Sequence, residues 1–399
     1  MAAQETGSSS LRRRTAIVGV GQTTLTRNSG RSEWNLALEA ILAATSDAGI
    51  DPGQIDGIVR YSQDRVSEAQ VAEALGLELR YHSQVGFGGQ SAAATVAHAA
   101  AAVATGLASV VLCYRALNGR SGIRYGRAER SIAAEGAAPS YAEGVRVPSG
   151  ELSGPYGLLS PGQVMALWAQ RYAHEAGIDE DQLIRALGAI AVGQRSHAAR
   201  NPNALMGGRP LDFDTYRSSR VISTPLRLFD LCLESDGAGA LLVTSAERAR
   251  DTRHGPVFIL SASQALHAEA MEVYGELANG PAHRADAQRL FGEAGLTASD
   301  VDVAMLYDAS TIMVLLQLEG YGFAPPKQAW RHLIEHGIDL DSPIPVNPSG
   351  GHLSEGYLHG MNLLREAVEQ LRGDAANQVS DAEVALFGAA GASGVVLAR

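Results

Sequence analysis

Two short segments of this chain carry side chains that could move protons. Residues 306–309 read Leu-Tyr-Asp-Ala, and residues 347–360 read Asn-Pro-Ser-Gly-Gly-His-Leu-Ser-Glu-Gly-Tyr-Leu-His-Gly. Their tyrosines, Tyr307 and Tyr357, each offer a phenol that could serve as a general acid or base. A phenol has a reference pKa of about 10, so a tyrosine base needs a nearby cation or hydrogen-bond donor.

Three other residues are candidates to assist these phenols. His359 follows Tyr357 by two positions, His197 lies in a His-Ala-Ala-Arg-Asn-Pro segment, and Asp308 adjoins Tyr307 and would orient a partner. Each of the three could equally be structural, and either tyrosine could simply fill space with its ring. We predict that the two phenols act in catalysis.

Residues suited to covalent catalysis are few. Cys113 ends a buried strand and Cys232 adjoins no helix start, so both are expected to be small buried hydrophobic residues. Ser91 would need an adjacent base to become a nucleophile, and we expect it to cap a helix instead. The single lysine, Lys327, is the one Schiff-base candidate, but it follows two prolines in a predicted loop. The sequence therefore disfavours a covalent enzyme intermediate.

Composition excludes several classes of function. The net charge of −11 argues against a general nucleic-acid surface. The cysteines and histidines lack metal-ligand spacing, so we expect no metal site. The longest apolar run, residues 92–113, contains polar residues and indicates a buried helix and strand instead of a membrane span. Residues 1–12 are expected to form a disordered lead without a secretory signal, and we predict a cytoplasmic protein.

Strand and helix patterns alternate along most of the chain. A β-branched run at residues 15–21 predicts a strand, and residues 33–48 have the apolar spacing of a helix that stops at Gly49. Residues 115–223 break the rhythm, with two amphipathic helices at 162–176 and 180–199. From residue 256 the alternation restarts. The pattern indicates an α/β fold made of two successive halves.

Four islands of sequence resemble the thiolase superfamily. They are the strand at 16–21 with the helix after it, residues 225–240 (Pro-Leu-Arg-Leu-Phe-Asp-Leu-Cys-Leu-Glu-Ser-Asp-Gly-Ala-Gly-Ala), residues 306–309 and residues 347–360. Gly89 stands where that family keeps its nucleophilic cysteine, and the second cysteine is missing from residues 386–394. Tyr307 and Tyr357 replace the family's Asn or His and its His.

The resemblance implies an architecture and its boundaries. We expect a thiolase fold, with two related α/β halves in five αβαβα layers and an inserted helical and loop domain. The N-terminal half would comprise residues 13–114 and 224–255, the inserted domain residues 115–223, and the C-terminal half residues 256–399. Thiolase-fold proteins of this kind are homodimers, and we expect the same here.

The missing cysteines and the paired tyrosines are similar to the thiolase-like aldolases of steroid side-chain degradation. The implied reaction is retro-aldol cleavage of a β-hydroxyacyl-CoA, releasing propionyl-CoA and a 17-keto steroid, with CoA as part of the substrate and no separate cofactor. The reaction needs a base and donors for the developing enolate, but no nucleophile. The resemblance also implies a small partner protein with an OB-fold and a zinc ribbon.

Further expectations concern the substrate pocket. Flexible glycines are expected to line it and to supply free backbone N–H groups as an oxyanion hole, namely Gly89, Gly350, Gly351 and Gly391. An arginine-rich stretch from Arg115 to Arg130 is either a solvated loop or a site for CoA phosphates or a partner. Two alternatives to the aldolase remain: another thiolase-fold enzyme that condenses CoA thioesters, and a carrier of acyl-CoA or lipid without catalytic activity.

Overall fold

The computed structural model describes residues 11–86, 89, 91–122, 124, 156–158, 160–265, 281–389 and 392–399. Most of the expected lead (residues 1–12) therefore lies outside the described residues. No helix in the described part of the chain is long and apolar enough to cross a membrane.

The N-terminal half contains five strands of one sheet, and its elements are β1 (Thr15–Gln22), α1 (Glu33–Ala48), β2 (Gly57–Tyr61), α2 (Glu68–Leu75), β3 (Tyr81–Val85), α3 (Ser91–Ala104), β4 (Val110–Asn118) and, after the insertion, β7 (Asp236–Ser245) with the short α7 (Ala246–Ala249). Helix α1 matches its predicted bounds, because Ser32 caps its start and Gly49 ends it in the left-handed conformation. The sequence did not predict β3 or α2.

The insertion is mainly helical where it is described, and comprises α4 (Pro161–Ala176), α5 (Glu180–Arg200), α6 (Phe213–Ser218) and a small hairpin of β5 (Val221–Ser223) and β6 (Leu226–Arg227). The two long helices agree with the sequence prediction to within one residue. Helix α5 begins with a capping box at Asp179 and Gln182 and is largely buried. It therefore reaches into the core instead of lying on the surface.

The C-terminal half repeats the plan of the first, with β8 (Val257–Ala265), α8 (Pro281–Ala294), β9 (Val303–Leu306), α9 (Thr311–Gly320), α10 (Ala329–His336), the one-turn α11 (Gly351–Ser354), α12 (Met361–Arg372), β10 (Val384–Gly388) and β11 (Ala392–Ala398). The loop that holds Lys327, where φ is 62°, precedes α10. Three one-turn 3₁₀ segments complete the described elements, at Pro52–Gln54, Leu228–Asp230 and Ala298–Asp300.

Sheet topology shows the predicted internal repeat. The strands form one nine-stranded sheet in the order β3-β2-β4-β7-β1-β8-β11-β10-β9. In the first half β2 is parallel to β4, β4 antiparallel to β7, and β7 antiparallel to β1. In the second half β9, β10, β11 and β8 follow the same scheme. An isolated parallel bridge between Ala304 and Val346 takes the place of β3.

Three buried cores separate the layers. One lies between α1 and the N-terminal sheet, one surrounds α3 and α12 in the middle, and one joins the C-terminal sheet to α4, α5, α8, α9 and α10. The two half-sheets meet along β1 and β8, where Ala16 pairs with Phe258 and Ile17 with Val257. This is the five-layered αβαβα thiolase fold that the resemblance implied. The loops that follow β9 and Val346 in the second half carry both tyrosines.

Candidate active site

The two predicted tyrosines meet in the structure. The phenol oxygens of Tyr307 and Tyr357 are 2.6 Å apart, and their rings pack edge to face with centroids 6.3 Å apart. Tyr307 is only 2% exposed, whereas Tyr357 is half-buried. A substrate could therefore reach the pair from the side of Tyr357.

Backbone hydrogen bonds fix both tyrosines. Tyr307 directly follows β9, donates its N–H to the carbonyl of Gly388 (2.8 Å) and accepts from the Gln317 amide at its own carbonyl (2.7 Å). Tyr357 donates its N–H to Ser235 Oγ (2.7 Å), and that hydroxyl lies 3.1 Å from the Tyr357 carbonyl. The phenols are thus preorganised by the ends of strands and by a residue from the island at 225–240.

Electrostatics distinguishes the two phenols. Burial raises the pKa of both hydroxyls above the ordinary tyrosine value, so both are protonated at neutral pH. Either hydroxyl can donate the hydrogen bond that joins the pair. The neighbouring Tyr357 hydroxyl further raises the pKa of Tyr307, whereas the hydrogen bond with Tyr307 and the positive charge of Arg115 oppose the rise in the pKa of Tyr357. Tyr357 is therefore the more readily ionised member of the pair.

His352 is a third ring in this cluster that the sequence did not single out. It lies 4.8 Å from each tyrosine ring, in edge-to-face contact with both, and it is fully buried. Its Nδ1 is 3.0 Å from Asp308 Oδ1. Its Nε2 lies 3.1 Å from both Asn362 Oδ1 and the Gly360 nitrogen. Its position directly after two glycines was the available signal.

Asp308 joins the two catalytic segments. Its carboxylate accepts the N–H groups of His352 (3.0 Å) and Leu353 (3.2 Å), the second and third residues of α11. It thereby satisfies donors that a helix start leaves unpaired. Asp308 contacts the segment that carries Tyr357, as the orienting role requires, but no hydrogen bond joins it to either phenol among the described residues.

Asn347, the first residue of the segment that carries Tyr357, binds the end of β9. This buried side chain exchanges two 2.8 Å hydrogen bonds with the backbone N–H and carbonyl of Leu306, the residue before Tyr307. Asn347 has φ of 48°, a conformation that asparagine tolerates better than most residues. Its two bonds tie the tyrosine-bearing strand end to the second segment.

His197 serves the same loop, and the structure does not place it with the phenols. Its Nδ1 lies 3.1 Å from the carbonyl of Asn347, and its Nε2 is 3.4 Å from Asp339. Neither tyrosine is among its contacts in the described chain. The expectation that His197 assists the phenols directly is wrong, because α5 carries it behind the loop.

His359 does lie beside the pair. Its ring is 4.7 Å from that of Tyr357, at an interplanar angle of 64°. Arg115 Nε donates to His359 Nδ1 (3.0 Å), and the Tyr61 hydroxyl donates to the His359 carbonyl (3.1 Å). His359 adopts φ of 52°, so the backbone is held in a conformation that side chains rarely take.

Arg115 corrects the expectation for the arginine-rich stretch. It is 1% exposed, lies on β4 and forms a 2.7 Å ion pair with Asp64. It is therefore neither in a solvated loop nor available to phosphates. Arg124 pairs with Glu234, and Arg127 and Arg130 lie outside the described residues.

Two of the four predicted glycines, Gly350 and Gly351, do not present free N–H groups as we expected. The Gly350 N–H already donates to the Asn347 carbonyl (2.9 Å), and that of Gly351 is 3.4 Å from Ser349 Oγ. These two glycines instead allow close packing, because they have no side chain. A side chain on Gly351 would strike the Asp308 carboxylate, and one on Gly350 would strike Ala198. Gly89 is half-buried before α3, and Gly391 lies outside the described residues.

No alternative nucleophile emerges at the site. Ser91 is fully buried and donates its hydroxyl to the Gly86 carbonyl (3.1 Å), so it does not cap α3 as expected. Burial raises the pKa of the Cys113 thiol to about 12. Cys232 lies closer to the tyrosines than the sequence suggested, with its N–H on the Ala309 carbonyl, but burial first and then Asp308 raise its thiol pKa. Both thiols are thus poor nucleophiles.

In the described part of the chain, no group of three or more His, Cys, Asp or Glu side chains is arranged to hold a metal ion. The site is instead a cluster of rings, formed by Tyr307, Tyr357, His352 and His359. The Asp308 carboxylate contacts His352, and the Arg115 guanidinium contacts His359.

Comparison with known proteins places this cluster in context. Residues 263–396 match a family described as thiolase C-terminal domain-like. The chain is 42% identical to a steroid side-chain-cleaving aldolase of Thermomonospora curvata, over 92% of both chains. It is 41% identical to the 17-hydroxy-3-oxo-4-pregnene-20-carboxyl-CoA lyase of Mycobacterium tuberculosis, over 92% of this chain and 94% of that enzyme.

A solved structure has the same fold throughout. The Ltp2-ChsH2(DUF35) aldolase superposes with a TM-score of 0.88 at 40% sequence identity. The match covers 98% of this chain and 99% of that one.

Proposed function

Because the chain belongs to the thiolase-like aldolases that cleave steroid side chains, we propose that it is a carbon–carbon lyase acting on a β-hydroxyacyl-CoA. The observation that carries the chemistry is the 2.6 Å hydrogen bond between Tyr307 and Tyr357. It lies at a buried site without an activated thiol. Retro-aldol cleavage needs proton transfer and enolate stabilisation, and no covalent intermediate.

The phenol pair matches the proton balance of this reaction. In retro-aldol cleavage, the β-hydroxyl loses its proton and becomes a ketone while the bond to the α-carbon breaks. The α-carbon then takes up a proton as the enolate becomes the thioester. The net change is one proton moved from oxygen to carbon.

Two linked phenols can perform this transfer without a phenolate in the resting enzyme. As the carbon–carbon bond breaks, the half-buried Tyr357 takes the hydroxyl proton and passes its own proton to Tyr307, since either hydroxyl can donate the hydrogen bond between them. In the same concerted relay, Tyr307 releases its proton to the α-carbon. This sequence accommodates the raised pKa of both tyrosines, because each is neutral before and after turnover.

The products follow from the substrate class. In a 17-hydroxy steroid that bears a 20-carboxyl-CoA group, the bond that breaks joins C17 to C20. The steroid becomes a 17-ketone, and C20, its methyl group and the thioester carbonyl leave as propionyl-CoA. The relative from Mycobacterium tuberculosis has a name that describes a substrate of this type.

Partner proteins form a separate part of the proposal. The similar solved structure is a complex of an aldolase with a DUF35 protein. We therefore expect this chain to work with a small partner of that type, with an OB-fold and a zinc ribbon, in a heteromeric assembly of cytoplasmic homodimers. The shared fold and the 40% identity to the matching chain of that structure support the expectation.

Product analysis tests the function. The protein, co-expressed with its DUF35-type partner, is mixed with a 17-hydroxy steroid C22 acyl-CoA and the products are identified by mass spectrometry. We expect propionyl-CoA and a 17-ketone, with kcat/KM reduced roughly 10³-fold in Tyr357→Phe because a general acid–base group is lost.

Tyr172→Phe is the matched control for this experiment. Tyr172 is also a buried phenol and donates to Glu319 at 2.7 Å, but it lies on α4. Its loss should leave turnover within a few-fold of the original rate. Intact substrate that co-purifies with the protein would point to a carrier, and a condensation product would point to a thioester-condensing enzyme.

A further inference from the structure

Four arginines in the described chain are at least nine-tenths buried, and three of them are paired with carboxylates. The three pairs are Arg60 with Glu68, Arg115 with Asp64, and Arg365 with Glu355. The fourth, Arg195 on α5, is 6% exposed and forms no ion pair with any described residue. A charge that is removed from water without a counter-charge is costly. Arg195 therefore points to a ligand that supplies the missing negative charge.

Arg195 is nonetheless held in one position. Its Nε donates to Ser354 Oγ (3.0 Å), and its guanidinium carbon lies 5.3 Å from the centroid of the Phe229 ring. Ser354 Oγ is its one hydrogen-bond acceptor in the described part of the chain, and its two terminal nitrogens retain contact with solvent. These nitrogens form the end of a planar fork, which matches two oxygens of one anionic group.

A second guanidinium adds positive charge at this place. Arg209 is exposed in the segment after α5, and its N–H donates to the Met206 carbonyl (3.0 Å). Met206 donates its own N–H to the Ser354 carbonyl (3.2 Å), so this segment contacts the same end of α11 as Arg195 does. Burial first, and then the positive charge of Arg209, lower the pKa of Arg195. A bound anion would oppose both effects.

We propose that Arg195 and Arg209 form an oxyanion site at the end of α11, and that its ligand is a phosphate group. Two neighbouring cations without a carboxylate suit a ligand of charge about −2 with several acceptor oxygens. The phosphate could be the free ion or one of the phosphates of CoA. Only the second source rests on the proposed lyase function. Ser354 precedes Tyr357 by three residues, so a bound phosphate would also hold the segment that carries this phenol.

Thermal unfolding of the full chain with inorganic phosphate tests the site. At constant ionic strength, we expect millimolar phosphate to raise Tm by about 2 °C with a saturable dependence, because the ion binds only the folded protein. Arg195→Met should abolish the saturable rise. Arg185→Met is the matched control, since it removes an exposed arginine of the same helix, and it should keep the rise. An equal rise in Arg195→Met would overturn the proposal.

Stability without phosphate separates a ligand site from a structural arginine. Arg195→Met removes a buried charge and keeps an apolar side chain against Phe229, so its Tm in phosphate-free buffer should equal or exceed that of the original protein. A structural arginine predicts instead that Tm falls by the same amount with and without phosphate, which would overturn the proposal.

Arg209→Met provides a second variant, whose exposed position makes a folding defect avoidable. Loss of this nearby charge should weaken the apparent affinity for phosphate about threefold. An unchanged affinity would contradict a site formed by two arginines.

CoA and pantetheine distinguish the two sources of the phosphate, because pantetheine lacks the phosphates of CoA. If the substrate supplies the group, Arg195→Met should need about tenfold more CoA for the same rise in Tm, while pantetheine affects both proteins alike. If the free ion is the ligand, CoA should act equally on both proteins and inorganic phosphate should still lose its effect.

An acidic residue of a partner protein is the rival occupant. It predicts no saturable effect of phosphate or CoA, together with weaker binding of the partner to Arg195→Met, and this result would overturn the proposal. None of these measurements requires turnover. If the protein cleaves no acyl-CoA, the response to inorganic phosphate still decides whether the site exists.

Discussion

Among the described residues, two corresponding loops of this molecule differ in the polar groups that they hold. The first, residues 86–91, follows β3, and the second, residues 347–360, follows the bridge at Val346 in the equivalent place of the other half. In the described part of the first loop, Ser91 donates to the Gly86 carbonyl. The second loop carries Tyr357, His352 and His359, with a dense set of buried hydrogen bonds.

The anchors of the second loop are charged as well as polar. Glu355 is fully buried and accepts from Ser349 Oγ (2.7 Å), Asn362 Nδ2 (3.1 Å) and Arg365 (2.8 Å). Such a network is costly unless every member is satisfied, and it then holds one conformation. The two halves therefore share one strand arrangement, and the second loop holds its reactive side chains in a network of buried hydrogen bonds.

The first half still contributes, but from strands instead of its loop. Arg115 and Tyr61, on β4 and β2, contact His359 across the middle layer. Gly360 permits this close approach of the two halves, since a side chain there would meet Ala92 at the start of α3.

A pair of glycine substitutions provides the strongest test of this contrast. Gly351→Ala should lower the free energy of unfolding by about 2–4 kcal/mol, because φ is +58° and the added carbon would strike the Asp308 carboxylate. Gly86→Ala, in the first loop, has open space and no left-handed φ, so its effect should stay within about 0.5 kcal/mol. Urea unfolding measures both values. Equal effects would contradict the difference in packing.

A smaller effect on stability concerns Glu366, a buried acid on α12. Burial raises the pKa of Glu366 to about 8, so the folded protein retains a proton there that the unfolded chain releases above about 4.5. Stability from this group is complete below about pH 4.5 and is lost as the pH rises to about 8. Glu366→Gln should weaken this decline and make the protein about 2 kcal/mol more stable than the original at pH 8.

Thermal unfolding at several pH values between 5 and 8 checks this expectation. Glu247→Gln, on the exposed face of α7, is the control and should follow the original pH profile. Other buried acids, including Asp230 with a pKa raised to about 6, contribute to the same decline, so the substitution should reduce it without abolishing it. A decline unchanged in Glu366→Gln would contradict the assignment.

Sequence reasoning was most accurate where a local pattern suffices. Helix α1 carries its own start and stop residues, Ser32 and Gly49, and was predicted to the residue. Strand β3 was missed because Tyr-His-Ser-Gln-Val is a polar edge strand in which only Val85 is fully buried. The thiolase architecture and the paired tyrosines came from family motifs, which encode long-range arrangements that no local pattern contains.

Contacts between distant segments were the principal limit. Arg115 and His359 are 244 positions apart, so nothing local marked Arg115 as a neighbour of the site. His197 was chosen for its residue type and proved to support Asn347 from behind. His352 lay within the recognised motif, but its contact with both phenols depends on the turn of α11.

The most direct test of the account is a double-mutant cycle of Tyr307→Phe and Tyr357→Phe, with kcat/KM measured on the 17-hydroxy steroid acyl-CoA. If the two phenols relay one proton as a unit, each single variant loses roughly 10³-fold, and the double variant loses little more than either. Losses that multiply to roughly 10⁶-fold would show independent roles and contradict the relay.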